Sequence, residues 1–125
     1  MIARRLALWG PLTAALAIVF CLSSLSRVPG AELVWDKLLH AAGYGGISVL
    51  ALRAFHSGFA PLRARATTGA FVFMVVWFIS DEFHQSFVPG RSASAADVLA
   101  DVVGFALASA GWSAARMSRG PRLTL

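Results

Sequence analysis

Acidic side chains are scarce in this chain: six Asp and Glu stand against eleven Lys and Arg, giving a net charge of +5. Cysteine is scarcer still. Cys21 stands alone, which excludes an intramolecular disulfide and the paired Cys or Cys/His spacing of a zinc site. Set in an apolar run, it reads as a small core residue. Long polar stretches are also missing. With 58% hydrophobic residues and a mean hydropathy of +0.70, an ordinary soluble domain is excluded. A sequence pI near 11.1 would suit a nucleic-acid partner. The basic residues, however, are spread in twos and threes at segment ends with no recognition motif among them, so nucleic-acid binding is not expected. At 125 residues the chain reads as one domain, 1–125.

What is present is apolar. Leu6 to Ser26 is 21 residues without a charge, matching the roughly 20 of a spanning helix. Arg4 and Arg5 precede it and no A-x-A cleavage site follows, so it reads as a retained signal anchor. The other uncharged cores, Leu38–Leu52, Ala66–Ser80 and Val102–Ala115, hold 15, 15 and 14 residues. Each reaches spanning length only by absorbing polar residues at one end: Asp36 and Lys37, then Asp81, Glu82 and His84, then Asp97 and Asp101. Four spans at about 6–26, 34–54, 66–87 and 95–115 follow, an all-α integral membrane bundle.

Counting cations orients it. Arg4, Arg5, Arg53, Arg63, Arg65, Arg116, Arg119 and Arg122 fall on one side of the predicted spans, with no acid among them. Arg27, Lys37 and Arg91 fall on the other, together with all six acids, Glu32 included. The positive-inside rule therefore predicts both termini in the cytoplasm and the acids outside. Pro29-Gly30 and Pro89-Gly90 mark the outer turns and Pro61 the inner one. Ser94 with Asp97 fits an N-cap for the last span. Ala42 with Gly46, and Gly104 with Ala108, offer small residues four apart for close helix packing. Trp9, Trp35 and Trp112 fall near the interfaces, and Trp77 falls deeper.

The polar residues have helical spacing. Asp36, His40 and Tyr44 are i, i+4, i+8, with Lys37 beside them. Asp81 and Gln85 are i, i+4, and Glu82 and Gln85 are i, i+3. Asp97, Asp101 and Gly104 are i, i+4, i+7. Stripes of this kind facing lipid would be penalised, so they should face one another or an outward-open cleft. Arg91 can reach the same space, and its planar fork suits a carboxylate or a phosphate. Six acids exceed the three cations on that side, so a carboxylate surplus is expected, with Asp101 either protonated or paired to Lys37 or Arg91. His84 reads as an interface residue pointing away from the stripe, and His56, among arginines, as solvated.

These segments carry a resemblance. Asp36-Lys37-Leu38-Leu39-His40-Ala41-Ala42-Gly43-Tyr44 resembles the D-K-x-x-H-x-x-x-Y signature of the VanZ-like membrane family. The run from Asp81 to Arg91 resembles its D-E-x-x-Q-x-F-x-P-G-R block, and Asp97 to Gly104 its D-x-x-x-N-x-x-G. The family usually has Asn where this chain has Asp101, exchanging an amide for a group that only accepts when ionised. The resemblance implies a small bacterial membrane protein of four or five helices, whose namesake is associated with resistance to the glycopeptide teicoplanin.

Three function classes remain open. The first is a binding module in the bacterial plasma membrane for a membrane lipid, a cell-wall precursor or a lipoglycopeptide. The carboxylates and Gln85 suit sugar hydroxyls, and Arg91 suits a phosphate. The second is a metal-assisted enzyme on a lipid-linked substrate, since Asp36, His40, Asp81, Glu82 and Asp97 are hard oxygen and imidazole donors. No H-E-x-x-H spacing and no Ser or Cys beside a base supports it, and no metal or cofactor is assigned. The third is a structural subunit held by an ion-pair network, or a small transporter component.

Overall fold

Each apolar run becomes a helix. The computed structural model describes residues 1–118, the side chain of Glu32 apart. Arg119 and Arg122, counted above for topology, lie outside the described residues. The helices are α1 (Ile2–Ser23), α2 (Asp36–Phe55), α3 (Ala64–Gln85) and α4 (Ala95–Met117), with a short 3-10 turn at Ala31–Leu33. At 20 to 23 residues they are about 30–35 Å long, and all four are apolar enough to cross a membrane. The expected extension into polar residues is what happens: α2 begins at Asp36, while Asp81, Glu82 and Gln85 form the end of α3. Ser94 caps α4, its Oγ accepting from the Asp97 N–H at 3.3 Å.

The helices run up, down, up, down, so the ends near residues 23, 36, 85 and 95 share one end of the bundle. That end carries every described acid, and the opposite end carries Arg4, Arg53, Arg63, Arg65 and Arg116. α2 is central and packs against the other three, most closely against α4, to which it runs parallel. Glycine permits that approach: a Cβ on Gly104 would overlap the Ala41 carbonyl, and one on Gly45 would meet the Gly104 carbonyl at 3.3 Å. The small-residue row on α2 is therefore Ala41 and Gly45, one position before the expected Ala42 and Gly46, and Gly46 faces open space. Leu12, Leu52, Met74 and Phe78 fill the centre. Large apolar side chains such as Ile18, Val72, Val76, Val103 and Leu107 remain exposed on the outside, as a lipid-facing surface requires.

Pro11 sits inside α1 and leaves the Ala7 carbonyl without its helical donor. Arg53 of α2 supplies one, its Nη1 donating to that oxygen at 2.9 Å. At the same end His56 is buried rather than solvated. Its Nδ1–H donates to the Leu52 carbonyl at 2.8 Å, and its Nε2 accepts from the Arg63 N–H at 3.0 Å. The reason is that the α2–α3 connection folds back over it. Trp112 is buried too, donating to the Ala60 carbonyl at 2.9 Å. Trp9 and Trp35 are exposed, as expected at an interface. Cys21 departs from expectation: it is exposed on α1, on the outer face of the bundle rather than in its core.

Candidate functional site

The polar end is organised around Asp81, which is buried on α3. One carboxylate oxygen accepts from Ser23 of α1 at 2.6 Å. The other accepts from the Tyr44 hydroxyl of α2 at 2.6 Å and from Gln85 Nε2 at 3.0 Å. Three helices thus meet on one carboxyl group, whose two oxygens accept from three neutral donors. Gln85, fixed by that bond, turns its Oε1 to accept from Arg91 Nη2.

A second cluster joins α2 to α4. The Lys37 ammonium bridges Asp36, at 3.1 Å, and the buried Asp97. Asp97 also accepts from the Ser94 hydroxyl at 2.8 Å. One turn deeper, Asp101 is 1% exposed and pairs with His40 Nδ1 at 2.9 Å. Its partner is therefore His40, not the expected Lys37 or Arg91. Lys37 is held by Asp36 and Asp97, and Arg91 is held by Gln85. His40 Nε2 lies 4.0 Å from Asp36. Glu82 closes the α3–α4 corner by accepting from the Ser94 N–H at 2.6 Å. His84 stands apart as expected, stacked on Phe20 with its Nε2 2.9 Å from the Ser24 hydroxyl.

All ten residues singled out by spacing therefore gather at one end: Asp36, Lys37, His40, Tyr44, Asp81, Glu82, Gln85, Arg91, Asp97 and Asp101. Sequence reasoning missed Ser23, the last residue of α1, which caps the Asp81 network. It also gave Arg27 no role beyond topology. Among the described acids the expected surplus of carboxylate is taken up within the protein, because serine, tyrosine, glutamine and backbone donors do the work assumed for cations.

Above this network lies a chamber of about 720 Å³, reached by Arg27, Asp36, His40, Gln85, Arg91 and Asp97. Two Pro-Gly turns flank it. In each, Gly stands at φ +81°, and a backbone bond closes the turn: Ala31 N–H to Val28 O and Arg91 N–H to Val88 O, both 3.1 Å. This is the type II geometry, which places Gly where other residues are strained. One turn follows Arg27 directly and the other ends at Arg91. The chamber continues into an apolar crevice of about 360 Å³ between Val19 and Leu22 of α1 and Leu39, Gly43 and Ile47 of α2. Asp36, His40, Gln85 and Arg91 line both.

Asp36, His40 and Asp97 each offer a ligand atom within 4.8 Å of the others, a spacing a metal ion could use. The Lys37 ammonium already bonds two of the three, so a cation entering there would have to displace it.

Four membrane-length helices closing over a buried polar network define a small multi-pass membrane protein. The family model described as VanZ/LLP1 matches residues 2–116, nearly the whole chain. The chain belongs to that family. No curated protein and no solved structure matches it.

Proposed function

We propose that the polar end binds an amphiphile of the bacterial cell envelope: a lipid, a lipid-linked glycan or a lipoglycopeptide. One observation carries this reading. A polar chamber opens into an apolar crevice between two membrane helices, and the two share a wall. A head group fits the first and an acyl or prenyl chain fits the second, with the surrounding bilayer supplying the ligand. Polar chambers at membrane depth are costly to keep, which favours a ligand role over a purely structural one. The positive-inside rule supports an outward-facing chamber in a plasma membrane, with both termini cytoplasmic. The family name fits a role in teicoplanin resistance. The metal-assisted alternative is weaker here, because Lys37 occupies the space between Asp36 and Asp97.

The crevice offers a clean test. A Cβ at Gly43 would meet nothing within 4 Å, and Gly43 lines the crevice. Gly43→Leu should therefore fill it while leaving the helix packing intact. Native mass spectrometry should find an amphiphile on the purified protein, with the ratio of bound to free protein falling about tenfold in Gly43→Leu, equivalent to about 1.4 kcal/mol. Equal occupancy in both proteins would sink the reading.

A further inference from the structure

We infer that the amphiphile bears a phosphate, held between Arg27 and Arg91 at the mouth of the chamber. This rests on the amphiphile reading and names the chemistry of its head group. The described acids are all engaged: Asp36 and Asp97 by Lys37, Asp101 by His40, Asp81 by three donors and Glu82 by a backbone N–H. The two arginines differ. Both line the chamber, and among the described side chains neither has a carboxylate within 4.0 Å.

Arg91 is aimed rather than loose. Its backbone is fixed by the Pro89-Gly90 turn, and its guanidinium is fixed by Gln85, which is held by Asp81, itself bonded by Tyr44. Of the five N–H donors a guanidinium carries, one goes to Gln85. Arg27 enters from the facing turn, whose chain passes close by: a Cβ on Gly90 would lie 3.7 Å from the Ser26 carbonyl. Two planar forks lining one space match a group with several anionic oxygens. A carboxylate has two oxygens and satisfies one fork, whereas a phosphate has enough for both. Ser26 and Ser92 line the same space and add hydroxyl donors. The crevice begins at Arg91, so a chain esterified to that phosphate enters it directly.

The test uses the purified full-length chain in detergent, titrated with farnesyl phosphate, farnesol and inorganic phosphate. Farnesyl phosphate should bind at least about tenfold more tightly than farnesol. Arg27→Gln and Arg91→Gln should each erase most of that difference, with an unchanged thermal unfolding midpoint in detergent showing that both variants are folded; a difference that survives in both overturns the inference. Equal affinity for farnesol and its phosphate overturns the phosphate inference and leaves the amphiphile reading standing. Inorganic phosphate binding as tightly as farnesyl phosphate overturns the lipid source. Binding of neither farnesyl compound overturns the amphiphile reading and this inference with it.

Discussion

Asp81 is a buried carboxyl near the end of a membrane-length helix with no described cation paired to it, and three neutral hydrogen bonds make that tolerable. Removing one donor should be costly, because a buried acceptor loses a bond that water cannot replace. Tyr44→Phe keeps the ring against Phe78, 4.9 Å away between centroids, and removes only the hydroxyl. It should lower stability by about 1–3 kcal/mol, read as a fall in the thermal unfolding midpoint in detergent. An unchanged midpoint would mean that the hydroxyl bond adds nothing net. The candidate site was legible at this scale because helical spacing alone put Asp36, His40 and Tyr44 on one face. What sequence could not supply was the pairing. Asp101 could reach Lys37, Arg91 or His40 by spacing alone, and the close α2–α4 approach selects His40. His56 and Cys21 were misread for a related reason. Charge neighbours and local hydrophobicity do not say whether a loop folds over a side chain or whether a helix face meets lipid.

Between elements, the α2–α4 contact depends on absent side chains. Gly104 lets the two backbones approach until the Ala41 carbonyl fills the place of its Cβ. Gly104→Ala must push a backbone aside, an overpacking cost of about 1–3 kcal/mol. The same shift would separate His40 from Asp101, one turn away. Gly46→Ala is the matched control, since a Cβ there meets nothing within 4 Å. Thermal unfolding of the two variants should separate them clearly, with Gly104→Ala lowered and Gly46→Ala at or above the parent. The reverse order would restore Ala42 and Gly46 as the packing row. The helix count and the polar extensions were legible because uncharged run length is a strong signal. The packing row was not, because Ala41, Ala42, Gly43, Gly45 and Gly46 are all small, and only the helix rotation chooses among them. Arg53 illustrates the same limit. Sequence counts it as a topology charge, while in the bundle it also satisfies the carbonyl that Pro11 leaves bare.

For the whole molecule, the separation of charge bears on which side of the membrane the chamber faces. Six described arginines sit at one end of the bundle, against Arg27, Lys37 and Arg91 at the chamber end. That asymmetry predicts a chamber outside the cell and the α2–α3 connection inside it. Single-cysteine labelling checks this, with Cys21→Ser as the background so that the native thiol, exposed on α1, stays silent. Ser92 is exposed at the chamber mouth and Arg65 is exposed at the other end. A membrane-impermeant maleimide should label Ser92→Cys in intact cells and Arg65→Cys only after permeabilisation. Losing one arginine of six leaves the bias intact, so neither substitution should reverse the chain. The opposite labelling pattern would place the chamber in the cytoplasm. An amphiphile would then have to come from the inner leaflet, and a glycopeptide acting outside the cell could not reach the site.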